Sequence, residues 1–386
     1  MACTGTGIFA IVSDVCSLPS DRLQISENTI RFIVLSGCLC RIDVDNGSAI
    51  GNGKSVLSHL QDWTFDGRKI MKSLTKNELH IDTIQKMVMI CFGSQKILKC
   101  EELTEGYFNM AYQIEFTDGQ KVILKVAPKP EARIMTYEKN IMLSEVMAME
   151  KASEKEEIPV PKLLGFDDSC SICDSPYFFM EKLEGNSLCS VKDTLTTEQL
   201  KNIYIQTGKF NRKINEITMP LFGYPGQMEF QGYKWFPIFL RMMEAGIQDA
   251  EKGNVELGIP AAELLSGLKQ DWGFFEEVTI PRLVHWDLWD GNIFIHEGKI
   301  TGLIDWERSI WGDPLMEFGF RTYDQNEDFL AGYGIKKLTY MQKRRVLWYD
   351  VYLLLLMSLE CEYRGYETMD MYHWATKMLR QQFQKI

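Results

Sequence analysis

Hydrophobic and polar positions change period along the chain, and the changes mark its elements. ILKCEEL, beginning at Ile97, reads as a strand. GYFNMAYQIEF and QKVILKVA alternate or run apolar, and Thr117-Asp118-Gly119 between them is a tight-turn signal, which predicts a β-hairpin. A helical pattern follows from about Ile134 to Ala152, and then IPVPKLLGF and SPYFFMEKLEG read as two more strands, the second ending at Gly185. Helices are predicted from Thr196, where Thr196 and Gln199 form a capping box. The expected later strands are a single short pair, Asn292–Ile295 and Lys299–Ile304, joined by a turn at Glu297-Gly298. From about Pro314 onward the pattern is helical, and no internal repeat is visible. The expected architecture is α+β, a small antiparallel sheet with one helix followed by a larger, mainly helical part.

Upstream, Thr75 and Glu78 make a capping box before an amphipathic run with Ile81, Ile84, Met87 and Val88 on one face. Met71 thus reads as the start of the folded unit, and residues 1–70 as an N-terminal extension without sustained period. Within it, SAIGNGKS misses the phosphate-binding loop pattern by one position: the glycine is Gly47, and the pattern needs it at Ser48. The expected boundaries are 1–70 for the extension, 71–183 for a first lobe and 184–386 for a second.

With 386 residues the chain is long enough for two lobes. Its net charge of −11, from 42 Lys and Arg against 53 Asp and Glu, argues against nucleic-acid binding and is compatible with a cationic small substrate. The most apolar run, Val351 to Leu359, is bounded by Asp350 and Glu360 and is too short to span a bilayer, so no membrane association is expected. The ten cysteines are scattered, mostly in apolar runs, a usage that fits a reducing cytoplasm. The pairs Cys38/Cys40 and Cys170/Cys173 lack the shared register of a four-ligand zinc site and read as free thiols.

The stretch LVHWDLWDGNIFIHEGKITGLIDWE, from Leu283 to Glu307, sets Asp287, Asn292 and Asp305 between short apolar runs. A hairpin buries its middle and brings its two ends together, so these three groups can converge. Carboxylate and amide oxygens at one point suit magnesium, and a remaining carboxylate can orient a hydroxyl nucleophile. That is the arrangement phosphoryl transfer needs.

His285-x-Asp287-x-x-x-x-Asn292, followed by Gly302-Leu303-Ile304-Asp305-Trp306-Glu307 and Gly312-Asp313-Pro314, resembles the core of the aminoglycoside phosphotransferase family. That family has the protein-kinase-like two-lobe fold and includes kinases of choline, fructosamine and other small alcohols. The resemblance runs from about Met71 to the C-terminus. It implies that Asp287 orients or deprotonates an acceptor hydroxyl, that Asn292 and Asp305 hold Mg2+, and that the co-substrate is ATP or GTP. It also implies that Lys125 in VILKVAP neutralises the nucleotide phosphates, oriented by Glu145, with Glu138 as the competing partner. A mid-strand lysine is costly to bury unless paired, which favours such a role. The loop containing Gly106 and Asn109 would cover the phosphates; Met180 would flank the base, and the backbone from Glu181 to Leu183 would bond it. His285 is expected to buttress the catalytic loop and Asp313 to tie down the segment after Asp305, while the part played by Glu317 is open. No Asp-Phe-Gly or Ala-Pro-Glu element follows Asp305, which disfavours a protein substrate.

The family builds its acceptor pocket from C-terminal helices. Asp350, Glu360 and Glu362, with Trp348, Tyr352, Tyr363 and Trp374 near them in the chain, are the candidates here. Acids beside aromatics suit a hydroxylated, cationic acceptor. An aminoglycoside-type antibiotic, and hence antibiotic resistance, is the leading expectation. Choline, a ketosamine or another amino alcohol is the alternative, and a nucleotide-binding regulatory module without turnover the third.

Overall fold

The structure, a computed structural model, describes residues 31–35, 38–42, 75–104 and 108–386. The chain divides into two units, Met1–Met71 and Lys72–Ile386. In the first, β1 (Arg31–Leu35) pairs antiparallel with β2 (Cys38–Ile42). The near-miss phosphate loop at 48–55, Met71 and the side chains of Cys38 and Cys40 lie outside the described residues.

The second unit opens with α1 (Ile81–Phe92), then β3 (Ile97–Leu103), β4 (Met110–Phe116) and β5 (Lys121–Val126). After α2 (Ile141–Ser153) come β6 (Leu163–Asp167) and β7 (Tyr177–Glu181). The strands form one antiparallel sheet in the order β3-β4-β5-β7-β6. Strict alternation along β4 puts Met110, Tyr112, Ile114 and Phe116 into a core with Ile84, Met87 and Val88 of α1. The β4–β5 turn is as expected, with Gly119 at φ +89° and its N–H donating to Phe116 O.

Two helix starts differ from expectation. The cap of α1 is His80, whose Nδ1 accepts from Asp82 N; Thr75 Oγ1 instead donates to Phe108 O at 3.0 Å. A tertiary carbonyl has taken the hydroxyl that the local pattern assigned to capping. The helical pattern from 134 begins as a helix only at Ile141, because Asn140 sits left-handed at φ +51° behind a 3-10 turn at Thr136–Glu138. Asparagine tolerates that conformation, and its Nδ2 donates to Gly226 O at 3.1 Å.

The larger lobe is helical: α3 (Thr197–Ile214), α4 (Trp235–Gly253), α5 (Ala261–Gln270), α6 (Glu327–Tyr333), α7 (Tyr340–Arg364) and α8 (Asp370–Phe383). The Thr196/Gln199 box caps α3 as predicted. Instead of one later strand pair, the lobe has two small sheets. Short β8 (Asn186–Ser187) joins the hairpin of β12 (Ile293–His296) and β13 (Lys299–Leu303). A second sheet pairs β9 (Phe222–Gly223) with β10 (Gln231–Gly232) and with β14 (Ile310–Gly312), which in turn pairs with β11 (Arg282–Val284). Strands this short have no period for a sequence reading to detect. The apolar run Val351–Leu359 is buried within α7, and among the described residues no helix is long and apolar enough to cross a membrane.

Candidate active site

The β12–β13 hairpin turns through Glu297 (φ +49°) and Gly298 (φ +75°), two successive positive-φ residues as a two-residue hairpin loop demands. It brings the loop before β12 against the residues after β13: Ile304 N donates to Asn292 O at 3.0 Å. Asn292 Nδ2 donates to Asp287 O at 2.8 Å and to Asp287 Oδ2 at 3.0 Å. One Asp287 oxygen is thereby held, while Oδ1 and the Asn292 Oδ1 remain as acceptors. Burial pushes the Asp287 carboxyl above its ordinary range, and the Arg308 guanidinium works against that rise.

His285 is fully buried between two backbone groups of this loop. Its Nδ1 accepts from Asp287 N at 3.3 Å, and its Nε2 lies 3.0 Å from Ile304 O. A backbone N–H can only donate, so the ring proton sits on Nε2 and both nitrogens are occupied. The geometry is that of a buttress. Glu317, also fully buried, performs a similar task from the other side: it accepts from Trp286 N, Leu288 N, Phe318 N and Asn211 Nδ2. Asp313 accepts from Arg345 Nε at 2.6 Å and Tyr349 OH at 2.8 Å, tying the following segment to α7. Trp286 and Asp305, on either side of the Asp287–Asn292 loop and its hairpin, are in left-handed conformations, φ +63° and +64°. Such backbone costs non-glycine residues on the order of 1–2 kcal/mol each and persists where packing dictates it.

From the sheet, Lys125 opposes Ala111 on β4 and Phe178 on β7. Its Nζ lies 2.8 Å from both Glu145 oxygens, 2.8 Å from Asp305 Oδ1 and 3.7 Å from Glu307 Oε2. Burial alone would lower this ammonium; Asp305 and Glu145 outweigh it and hold it above the ordinary lysine value. Burial raises Glu145 despite Lys125, whereas for Asp305 the lysine wins and the carboxyl stays below its usual value. Glu138, the competing partner, is turned away: its Oε1 accepts from Arg364 Nη2 at 3.0 Å and its Oε2 from Met135 N at 2.8 Å.

Glu307 was not anticipated. It accepts from Asn109 Nδ2 at 2.7 Å, and one oxygen each of Glu145, Asp305 and Glu307 fall within 4.8 Å of one another. Burial, then Asp305, push its carboxyl up to about 8. The available signal was its place in Ile304-Asp305-Trp306-Glu307, two positions beyond Asp305. Hard oxygen donors so arranged fit Mg2+, which takes few protein groups and keeps room for phosphates. The buried Asn109 Oδ1 has no hydrogen-bond partner and adds an acceptor at the edge of the same group.

Other predicted positions are placed as follows. Gly106 lies outside the described residues. Met180, on β7, pairs in register with Ile123 and Leu163. Glu181 Oε1 accepts from Lys162 N at 2.9 Å, and Leu183 packs over Gly302. Each of the three acceptor carboxylates has a partner from the chain. Asp350 is buried and its Oδ2 accepts from Thr322 N and Oγ1, at 3.0 and 2.6 Å; burial pushes it up to about 6. Glu360 is buried with Arg308 at 2.9 Å and Arg364 at 3.7 Å. Glu362 is exposed and pairs with Arg133 at 2.8 Å. Of the aromatics, Trp348, Tyr352 and Tyr363 are buried, and Tyr352 stacks on Trp286 with centroids 5.5 Å apart.

Residues 99–347 match the phosphotransferase enzyme family. Among curated relatives, the chain is 32% identical over 123 residues to a subtelomeric hrmA-associated cluster protein of Aspergillus fumigatus, covering 32% of this chain and 23% of that one. It is 22% identical over 232 residues to IBR3 of Arabidopsis thaliana, described as an acyl-CoA dehydrogenase, covering 58% and 27%. The chain thus spans about a quarter of the length of the curated relatives it matches. Among solved structures, a thermostable mutant of aminoglycoside phosphotransferase APH(4)-Ia, in ternary complex with AMP-PNP and hygromycin B, has a TM-score of 0.56 at 18% identity, covering 78% of this chain and 98% of that one. A Thermobifida fusca protein described as a fructosamine-3-kinase has 0.56 at 15%, covering 79% and 100%. At such identities the likeness shows the fold, a protein-kinase-like one.

Proposed function

The chain belongs to the phosphotransferase enzyme family, and from that premise we propose that it transfers the γ-phosphoryl group of ATP or GTP to a hydroxyl of a small molecule. The observation that carries this is the meeting of Lys125, Glu145, Asp305 and Glu307 with the hairpin-bound pair Asp287 and Asn292. Lys125, oriented by Glu145, meets the nucleotide phosphates as a cation. Asp305 and Asn292, with Glu307 beside them, are the groups that would hold Mg2+, whose charge neutralises phosphate oxygens when it is bound. The β7 end, from Met180 through the backbone of Glu181 to Leu183, is the proposed seat of the base.

Asp287 orients the acceptor hydroxyl through its unheld oxygen. As the oxygen–phosphorus bond forms and the bond to the nucleoside diphosphate breaks, the hydroxyl proton passes to that carboxylate. Its raised pKa brings the carboxylate closer to this proton-accepting task than an exposed aspartate would be. Asn292 and His285 keep the loop from relaxing. The hygromycin B and ATP-analogue complex belongs to a relative; an aminoglycoside acceptor here would require free carboxylates, and the three that the sequence offered are paired. The proposal therefore rests on the kinase chemistry, with choline-type and ketosamine acceptors as arms of any screen.

Asp287→Asn is the test. It should remove nearly all phosphoryl transfer, measured by coupled nucleotide turnover over a panel of hydroxyl compounds, and leave nucleotide affinity close to the parent's. Retention of more than about a tenth of the parent rate would show that Asp287 is not the orienting base.

A further inference from the structure

The turn after Asp305 carries Arg308, whose side chain is 11% exposed. Its Nη2 donates to Glu360 Oε1 at 2.9 Å. Among the described residues no other acceptor is bonded to this guanidinium, so Nε and Nη1 are open. Neither nitrogen is among the buried atoms that lack a partner, so both face accessible space, where a ligand can reach them. The guanidinium has Asp287 and Asp305 as electrostatic neighbours on the catalytic side, and the Tyr137 ring 5.9 Å away.

Behind it stands Arg364, which is buried. Its Nη2 reaches Glu138 Oε1 at 3.0 Å and Tyr137 OH at 3.4 Å, and its Nε is buried without a partner. Its guanidinium lies 5.6 Å from the centre of the Phe108 ring. Glu360 and Glu138 balance the two arginines and are themselves paired with them. What remains unsatisfied is donors.

We propose that Arg308, backed by Arg364, is an anion-recognising subsite beside Asp287, so that the hydroxyl compound phosphorylated here carries a carboxylate or phosphate group. This rests on the kinase reading above. A guanidinium's planar fork matches both oxyanions in a bidentate way that an ammonium cannot reproduce. Glu360 holds the fork in place from α7 and occupies only one of its donors. Lys125 already meets the nucleotide side of the cleft, which leaves the open Arg308 edge for the acceptor.

The experiment is equilibrium binding of three probes sharing a hydroxyl: D-glycerate, glycerol 3-phosphate and glycerol, with ethanolamine as the cationic control. It is run on the full chain with Mg-AMP-PNP and again without nucleotide. One of the two anions should bind at least about tenfold tighter than glycerol and ethanolamine, glycerate indicating a carboxylate and glycerol 3-phosphate a phosphate. Arg308→Gln should erase that margin, and Arg308→Lys, which keeps charge but not the fork, should retain part of it. Circular dichroism and a cooperative melt establish that each variant is folded; if the Gln variant is not, the Lys variant decides by whether the margin narrows. Equal binding of anions and glycerol by the parent, tighter binding of ethanolamine, or a margin that survives in the variants overturns the proposal. Failure of the parent to bind Mg-AMP-PNP would count against the kinase reading instead, since the anion comparison stands without nucleotide.

Discussion

At the scale of single residues, the cleft is held together by charges that burial makes expensive and proximity makes tolerable. Glu307 is the clearest case: it is pushed up to about 8 by burial and by Asp305. Between the unfolded glutamate value and that folded value the native state holds a proton that the unfolded chain has released. Stability should therefore fall as pH rises from about 4.5 to about 8 and level off above it. Glu307→Gln, which still accepts from Asn109, should flatten that decline and raise the melting midpoint at pH 8 by about 2 °C without nucleotide. Parallel pH profiles for parent and variant would remove Glu307 from the explanation. Glu317 shows the other use of a buried acid. Its oxygens receive three backbone N–H groups and one amide, and so fix the loop that carries Asp287.

Among elements, close approach decides how the larger lobe packs. A Cβ on Gly208 of α3 would lie 2.1 Å from Phe329 O, and one on Gly332 of α6 would lie 2.0 Å from Ile205 O. The two helices touch backbone to backbone through paired glycines. Gly208→Ala should push α6 away and destabilise the chain by about 1–3 kcal/mol, read by denaturant titration. An unchanged midpoint would mean the crossing relaxes freely. The segment before α2 is secured in a similar spirit by polar contacts: Thr136 Oγ1 donates to Asp249 Oδ1 at 2.8 Å, and Gln227 Nε2 to Tyr137 O at 2.9 Å. These contacts reach the larger lobe from the segment that leads into the helix bearing Glu145, so the position of the Lys125 partner is set from both lobes.

For the whole molecule, the division at Met71 and Lys72 predicts what truncation does. A chain beginning at Met71 should express in soluble form and keep nucleotide turnover, because every group assigned to the cleft lies beyond it. Mg-ATP at a hundred times its dissociation constant should stabilise that chain by about 2.7 kcal/mol, seen as a raised melting midpoint. Insoluble expression, or a midpoint indifferent to Mg-ATP, would show that residues before Met71 belong to the working unit.

Much of the site was legible because it is local in the chain. His285, Asp287 and Asn292 share one loop, and Asp305 stands at the far end of the hairpin that follows, so spacing and a two-residue turn were enough to bring them together. Lys125 was legible as a lysine amid apolar neighbours on a strand, and the β3–β4–β5 meander as period two with a glycine turn. The short strands β8 to β11 and β14 were not, since two or three residues carry no period. Neither was the pairing of charges. Asn109 and Glu307 are 198 positions apart, and Arg308 and Glu360 are 52 apart. Sequence shows that acids and bases are present on the C-terminal helices. Only the packed fold decides which neutralise each other, because burial excludes water and leaves each charge the partner that packing brings within reach. That is why the carboxylates expected to greet a cationic acceptor are already paired, and why Arg308 spends only one donor on Glu360.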